Sequence, residues 1–231
     1  MADATVGIII VAAGESSRMG TDKIFTQISG HPLISYTLHQ FQTHPTVSTI
    51  TLVLAQEKMR VGELLVKNYE FSKVDNICEG GSSRQESVLN GLQSTKITDF
   101  IGIHDGARPC ISHEIIDNCI NTAMKHGSAV PAIPITDTIK KVNSNKIITS
   151  TINRSELWRA QTPQIFRRKT IIEAYNNLLV NQTDDAAMME SLEESVSICE
   201  GDPLNIKVTD PVDIMLASHI LKDIPGLVKS S

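Results

Sequence analysis

Two cations and a run of small residues lie close together near the start of the chain. An unbroken apolar stretch over residues 8–11 leads into the small residues 12–14, and Arg18 and Lys23 follow. Small residues at the end of a strand let backbone N–H groups approach a ligand closely, and such groups bind anions. The stretch therefore predicts a phosphate-binding loop in which two side-chain charges assist the backbone.

Two familiar phosphate loops do not fit this stretch. A Walker A loop needs Gly-Lys-Ser/Thr at its end, whereas Gly20 is followed by Thr21, and Gly14 and Gly20 do not give the G-x-G-x-x-G spacing. On this loop alone, a surface turn with two solvated cations stays an alternative.

Two later loops carry similar chemistry. A Gly-Gly-Ser-Ser-Arg sequence begins at Gly80, and an Asp-Gly-Ala-Arg-Pro sequence begins at Asp105. The glycine loop could serve a base or a sugar, or it could simply start a helix capped by Ser82 or Ser83. The carboxylate of Asp105 could hold a hydrated Mg²⁺ or a substrate hydroxyl, or cap the next turn. Lys207 could face a ligand or the solvent.

Strands and helices alternate through the first part of the chain. The apolar patterns predict strands over residues 8–11, 49–55, 74–78, 100–104 and 128–134. Between them, the patterns predict helices that start after Pro32, run over 59–69, follow Ser83, and run from Ser112 to a stop at Gly127. This order predicts one α/β domain over residues 1–231, a mostly parallel sheet with helices on both faces. The loops that carry the candidate residues follow strands, where such sheets bind ligands.

The regular alternation of predicted strands and helices ends after residue 134. Two β-branched segments, 138–142 and 146–152, flank a polar tip and predict an inserted hairpin over 135–154. An isolated two-stranded hairpin is only marginally stable, so it either packs on its own domain or binds a partner. The pattern then predicts a helix over 169–179, short strands over 196–199 and 205–208, and helices capped by Asp184 and Asp210.

Composition narrows the class of protein. Of 231 residues, 41% are hydrophobic, which suffices for a core, and a net charge of −5 argues against general nucleic-acid binding. No apolar run reaches membrane length, no basic leader begins the chain, and the four cysteines form no C-x-x-C pair. We therefore expect a reduced, soluble, cytoplasmic protein without nucleic-acid or membrane partners.

Taken together, these motifs resemble nucleotidyltransferases, and most closely the 2-C-methyl-D-erythritol 4-phosphate cytidylyltransferase family. The resemblance covers nearly the whole chain. The first motif alone marks only the superfamily, whereas the Asp-Gly-Ala-Arg-Pro, Thr-Pro-Gln and Asn-Ile-Lys-Val-Thr motifs, in this order, are far more specific. The matching residues are Ala12-Ala13-Gly14, Arg18-Met19-Gly20 and Lys23; Gly80-Gly81, Arg84 and Ser87-Val88; His104-Asp105-Gly106-Ala107-Arg108-Pro109; Asp137-Thr138; Asn153-Arg154 and Trp158; Thr162-Pro163-Gln164; Thr183-Asp184; and Asn205-Ile206-Lys207-Val208-Thr209.

The resemblance implies a Rossmann-like cytidylyltransferase that joins CTP to methylerythritol phosphate in isoprenoid biosynthesis. It implies a homodimer with a shared active site and Mg²⁺, or another divalent cation, held mainly by the CTP phosphates, with no separate protein metal site. The implied catalytic cations are Arg18, Lys23 and Lys207. The implied nucleotide-binding residues are Ala12, Ala13, Gly14, Gly80, Gly81, Ser87 and Asp105. The implied acceptor-binding residues are Asp105, Arg108, Thr138, Arg154 and Thr183, with Thr138 and Arg154 supplied by the hairpin of the second subunit.

The chain departs from the family pattern beside Lys23. Asp22 stands where the family usually has proline, Ile24 where it has glutamine, and Asn153 where aspartate or threonine is common. An anion next to Lys23 could weaken or orient its pull on phosphate. The alternatives are a ribitol-5-phosphate cytidylyltransferase, which shares fold and nucleotide, and a non-catalytic nucleotide-binding regulator, which should have lost Arg18, Lys23 or Lys207.

Overall fold

The computed structural model of the protein describes residues 4–14, 23–177, 182–222 and 227. Its strands are β1 Val6–Ala12, β2 Gln27–Ile28, β3 His31–Pro32, β4 Val47–Leu54, β5 Val74–Glu79, β6 Phe100–Asp105, β7 Ser128–Pro134, β8 Ile139–Val142, β9 Ile148–Ile152, β10 Trp158–Ala160, β11 Gln164–Arg167 and β12 Ile198–Glu200. Its helices are α1 Leu33–Thr43, α2 Met59–Asn68, α3 Arg84–Ser94, α4 His113–His126, α5 Arg168–Asn177, α6 Asp185–Glu190 and α7 Pro211–Ile220, with a short 3-10 helix Gln56–Lys58 before α2.

One central sheet organises the fold. Its strand order is β10-β7-β11-β6-β1-β4-β5, and β12 also pairs with β7. Strand β1 runs parallel to β4 and β6, and β4 runs parallel to β5, whereas β11 is antiparallel to both β6 and β7. The predicted mostly parallel α/β sheet is confirmed.

Both faces of the sheet are buried, as the continuous apolar run in β1 requires. Ile8 and Ile10 point into a core shared with α1, α2, α4 and α7, while Ile9 points into a second core shared with α3, α5 and α6. All three isoleucines are fully buried. The alternation follows from the two-residue period of a strand, so one apolar run can serve two helical layers.

The helix ends follow the predicted capping residues. Ser112 accepts a hydrogen bond from the Ile115 N–H, and Gly127 ends α4 in the left-handed region with φ +94°. Asp184 caps α6, and Asp210 and Asp213 form a capping box on α7. Among the described helices, none combines the length and the apolar character that crossing a bilayer requires.

The predicted hairpin forms from β8 and β9, which pair antiparallel in a sheet of their own. Val142, Ile147 and Ile148 near its tip are all more than half exposed. The hairpin is therefore an apolar projection with little of its own chain to pack on. Its crossing to a second subunit stays a prediction.

One predicted strand is wrong, and some observed strands were not predicted. Residues 205–208 are not a strand: the N–H groups of Asn205 and Ile206 bond within a local turn, and Val208 makes one backbone bond to Ala107. The segment is instead held by the buried Asn205 side chain, which donates to the Thr162 carbonyl. The sequence pattern also missed β11, because its pairing with β6 and β7 depends on contacts far along the chain.

Candidate active site

A cavity of about 1120 Å³ opens at the carboxyl ends of β1, β4, β5 and β6. The loop after each of these strands contributes to its wall: Gly14, the 3-10 helix Gln56–Lys58, residues 80–84, and Asp105 itself. Lys23 and Lys207 line it from two other segments. The location agrees with the general rule that open parallel sheets bind ligands at their carboxyl edge.

Glycine at position 80 lets two walls of the cavity touch. Its N–H donates to the Leu54 carbonyl at 2.8 Å. A Cβ atom at Gly80 would lie 2.3 Å from the Ala13 Cβ and 2.9 Å from the Ser87 Oγ. Because such contacts are sterically forbidden, any larger residue would push the glycine loop away from the β1 loop.

The start of α3 presents polar groups to the same cavity. Ser83 caps the helix by accepting from the Glu86 N–H, which confirms the predicted cap. Ser87 Oγ donates to the Ser83 carbonyl at 2.9 Å and accepts from the Gly81 N–H at 3.0 Å. The loop is thereby fixed against the first turn of α3, whose N-terminal end favours anions.

Asp105 is the electrostatic centre of the site. Its Oδ2 lies 2.8 Å from Lys207 Nζ and 3.9 Å from Arg108 Nε, and its Oδ1 lies 3.3 Å from Arg84 Nε. Burial alone would raise the pKa of this carboxyl group, but the charges of Arg84, Lys207 and Arg108 outweigh burial and hold its pKa well below the ordinary value. The carboxylate is therefore charged although it is nearly inaccessible.

Arg84 joins Asp105 to a second buried carboxylate. Its guanidinium forms a bidentate pair with Asp185, at 3.0 and 2.6 Å, and Asp185 is completely buried. The Tyr175 hydroxyl donates to Asp185 Oδ1 at 2.6 Å. Burial opposes the charge of Arg84, but Asp185 and then Asp105 outweigh it and raise its pKa. Burial, followed by the charge of Asp185, raises the pKa of Tyr175, so its hydroxyl stays protonated.

A neutral histidine holds the residues around Asp105 through hydrogen bonds. His104 Nε2 lies 3.2 Å from the Arg108 carbonyl, which can only accept, so this nitrogen carries the proton. His104 Nδ1 then accepts from the Thr162 hydroxyl, whose oxygen accepts from the Asp105 N–H. Burial lowers the pKa of His104 to about 3. The ring is therefore uncharged at neutral pH.

Asn205 ties the Lys207 segment to this network. Its side-chain Nδ2 donates to the Thr162 carbonyl at 3.0 Å, and its main-chain carbonyl accepts from the Arg108 guanidinium at 2.8 Å. Burial lowers the pKa of Arg108, and Asp105 opposes that effect. Lys207 is thus carried by a loop anchored two residues away at a fully buried side chain.

The structure brings most of the predicted residues together. Those that line the cavity are Ala12, Ala13, Gly14, Lys23, Gly80, Gly81, Ser87, Asp105 and Lys207. Arg108 lies directly behind Asp105. Thr138 and Arg154 lie exposed at the base of the hairpin, and Thr183 lies exposed before α6, so none of the three lines the cavity of this chain. Arg18 lies outside the described residues.

Sequence reasoning missed the partners of Arg84. The sequence predicts Asp184 as a helix cap, which the structure confirms, but it does not predict that the next residue, Asp185, pairs with Arg84. Tyr175 belongs to none of the motifs found in the sequence. An acidic residue next to a helix cap indicates a buried ion pair only when the cation that faces it is already known.

Comparisons with known proteins agree on one family. A family profile described as 2-C-methyl-D-erythritol 4-phosphate cytidylyltransferase matches residues 6–223. A protein of that name from Dehalococcoides mccartyi is 42% identical over 218 residues, covering 94% of this chain and 96% of that protein. One from Clostridium tetani is 39% identical over 219 residues, covering 93% and 89%. The crystal structure of a 4-diphosphocytidyl-2C-methyl-D-erythritol synthase from Anaerococcus prevotii is similar, with a TM-score of 0.84 at 25% identity, covering 96% of this chain and 100% of that one.

His104 predicts an acid-sensitive fold. Its pKa of about 3 lies below the ordinary value of 6.5, so the unfolded chain binds one more proton between those values. The free energy of unfolding should therefore fall as pH falls from 6.5 towards 3, by up to about 1.4 kcal/mol per pH unit from this group. Urea titrations at several pH values should show a flatter dependence in His104→Gln than in the wild type.

The exposed His126 provides the control for that measurement. His126→Gln should keep the wild-type slope, because its ring is not buried on folding. A slope in His104→Gln as steep as that of the wild type would contradict the assignment.

Proposed function

The chain belongs to the 2-C-methyl-D-erythritol 4-phosphate cytidylyltransferase family, and on that premise we propose how the described site performs the reaction. The enzyme joins CTP and 2-C-methyl-D-erythritol 4-phosphate to give CDP-methylerythritol and pyrophosphate, in non-mevalonate isoprenoid biosynthesis. The observation that carries the mechanism is the buried Asp105 carboxylate, held between Arg84 and Lys207 at the wall of a cavity lined by glycine loops.

CTP lies, in this proposal, along residues 12–14 with its base at the glycine loop. Gly80 and Gly81 offer backbone groups there, and Ser87 fixes their position through the Gly81 N–H. Lys23, which lines the same cavity, would then meet the triphosphate. Arg18 would act beside it, from outside the described residues.

The acceptor phosphate binds next to Asp105. Lys207 has three N–H donors, and its bond to Asp105 aims the ammonium group at the cavity. An oxygen of the acceptor phosphate attacks the α-phosphorus of CTP, a new P–O bond forms, and the bond to the pyrophosphate oxygen breaks. Both reactants are anions, so we infer that catalysis consists of positioning them and stabilising charge rather than of a covalent enzyme intermediate.

A divalent cation would be held mainly by the triphosphate. Mg²⁺ keeps several waters and prefers phosphate oxygens. Both oxygens of Asp105 already face cations, Arg84 on one side and Lys207 on the other. Asp105 is therefore suited to orient these cations, and a metal contact through it would be secondary.

The hairpin supports a homodimer in which each subunit completes its partner's site. Its exposed apolar residues need a surface to bury them, and a two-fold dimer supplies that surface twice. Arg154, at the base of the hairpin, bonds to the Thr136 carbonyl of its own chain and otherwise lies exposed. We propose that Thr138 and Arg154 reach the acceptor in the partner subunit, while Thr183 and Arg108 contact it from the same chain as Asp105.

The other predicted properties follow the same premise. The four cysteines are free thiols, which suits the reduced cytoplasm we propose as its location. Ribitol phosphate stays a useful comparison acceptor because it is a similar polyol phosphate. A non-catalytic regulator is disfavoured because Lys23 and Lys207 both line the cavity.

One assay tests the reaction and its acceptor. The purified chain with CTP and Mg²⁺ should release pyrophosphate and form a cytidine diphosphate product with methylerythritol phosphate, at a much higher kcat/KM than with ribitol phosphate. Excess chelator should abolish turnover, because the uncompensated triphosphate charge would oppose attack. Preference for ribitol phosphate would overturn the acceptor assignment, and full activity in chelator would overturn the metal proposal.

Removing Lys23 should slow the chemical step more than it weakens nucleotide binding. Lys23→Ala should lower kcat by a factor of about 10² or more, the scale of losing a donor to transition-state charge, with a smaller change in CTP affinity. Lys58→Ala removes another cation that lines the same cavity and should change kcat by less than roughly threefold, because Lys58 has no proposed role at the reacting phosphate. Near-normal kcat in Lys23→Ala would mean that Lys23 does not act on the reacting phosphate.

A mixing experiment tests the shared site. Lys23→Ala chains have an intact hairpin but a defective cavity, and Arg154→Ala chains have an intact cavity but a defective hairpin. Every site in either homodimer therefore lacks one of the two residues, and each homodimer should be nearly inactive. After random subunit exchange half of the dimers are mixed, and one site in each has both residues. Activity should therefore recover to about a quarter of the wild-type value.

The control for mixing is the double variant Lys23→Ala, Arg154→Ala exchanged with Lys23→Ala, which contains no competent site and should stay inactive. If exchange is demonstrated by mass and the single variants recover nothing, each hairpin serves its own subunit.

A further inference from the structure

The segment that leads into α6 is held at three points. The Gln182 N–H donates to Gln85 Oε1 at 3.3 Å, and Asp184 Oδ2 accepts from Gln164 Nε2 at 2.8 Å. Asp185 binds Arg84 with two bonds. Thr183 lies exposed between these contacts, so its position is set by its neighbours.

Arg84 divides its guanidinium between two carboxylates. Two of its nitrogens face Asp185 and the third, Nε, faces Asp105 at 3.3 Å. Without Asp185, the guanidinium would be free to turn its bidentate face to Asp105, which is the stronger geometry for an arginine–carboxylate pair. It would then compete with Lys207 for Oδ2 of Asp105.

Tyr175 fixes the carboxylate that holds Arg84. Its hydroxyl donates to Asp185 Oδ1, the same oxygen that accepts from Arg84, and both residues are buried. Asp185 therefore accepts three bonds, two from Arg84 and one from Tyr175. A carboxylate restrained in this way has one orientation, and the arginine it binds has one orientation as well.

We propose that Asp185 and Tyr175 are positioning residues for the transfer reaction, which hold Arg84 so that Asp105 stays paired with Lys207 and the Thr183 segment stays beside the acceptor. The proposal rests on the function proposed above. It places the effect on the acceptor side, because Lys207 and Thr183 are assigned to the acceptor, whereas the glycine loop that receives CTP is held by the bonds that its N–H groups donate to Ser87 Oγ and to the Leu54 carbonyl.

Three variants test this through steady-state kinetics. Asp185→Asn keeps the shape but removes the charge, and it should lower kcat/KM for the acceptor phosphate by about 10- to 100-fold, the range for a lost hydrogen bond between charged groups. Tyr175→Phe should lower it by about 3- to 10-fold, as for a single weaker bond. The KM for CTP should stay within about twofold in both. Asp185→Glu, which restores the carboxylate, should recover much of the loss.

The control variant is Ser112→Ala, which removes the cap of α4. It should cost about 1 kcal/mol of stability while both KM values stay at wild-type levels. An unchanged kcat/KM for the acceptor phosphate, or a rise in the KM for CTP as large as that for the acceptor, in a folded Tyr175→Phe protein would overturn the proposal. If Asp185→Asn does not fold, Tyr175→Phe decides alone.

Hydrogen exchange without substrate separates this proposal from the assigned reaction. Amides of residues 182–187 should exchange faster in Tyr175→Phe than in the wild type, and Ser112→Ala should leave them unchanged. Normal exchange in Tyr175→Phe would remove the physical basis of the proposal. An inactive wild type with the expected exchange pattern would instead refute the assigned acceptor.

Discussion

A single buried carboxylate, Asp105, determines how the parts of this site can be assembled. Moving a carboxylate out of water costs several kcal/mol unless cations and hydrogen bonds replace the lost hydration. Arg84 from α3, Arg108 from the turn after β6, and Lys207 from the loop after β12 provide that compensation. These segments come from distant parts of the chain, so Asp105 can be both buried and ionised only in a folded arrangement that brings cations to it. Folding and assembly of the site are therefore one event.

The charge at this centre is not fully balanced. Arg84, Arg108 and Lys207 carry three positive charges against the two negative charges of Asp105 and Asp185, which leaves one positive charge next to the cavity. On the rest of the cavity wall, the positive charges of Lys23 and Lys58 are offset by the negative charges of Glu57 and Glu79, so the net excess stays at one positive charge. Both substrates of a cytidylyltransferase bring phosphate, so a site with excess positive charge favours their binding and their approach to each other. The small residues around it keep the backbone accessible where side chains would obstruct a nucleotide.

Local patterns predicted the parts of the fold that depend on nearby residues. The continuous apolar run of β1, the capped ends of α4 and the β8–β9 hairpin all arise from neighbouring residues, and all were predicted. Strand β11 was not, because Pro163 and polar residues precede it and its position between β6 and β7 depends on distant pairing. Arg84 and Asp185 are 101 residues apart, so their pairing is visible only in three dimensions. Asn205 resembled a strand residue because the β-branched residues Ile206, Val208 and Thr209 follow it, but its buried amide donates to the distant Thr162 carbonyl.

The two ends of this chain of charges, Asp185 and Lys207, differ most in exposure. The side chain of Asp185 is 0% exposed, that of Asp105 is 11%, that of Arg84 is 30%, and that of Lys207 is 42%. At the buried end, bonds face little competition from water and persist, which suits holding Arg84 in one orientation. At the exposed end, the Lys207 ammonium can exchange its contacts, because water or a phosphate oxygen can replace part of what Asp105 provides. The same carboxylate can therefore hold Arg84 in one orientation on one side while its contact with the more exposed Lys207 on the other side can exchange.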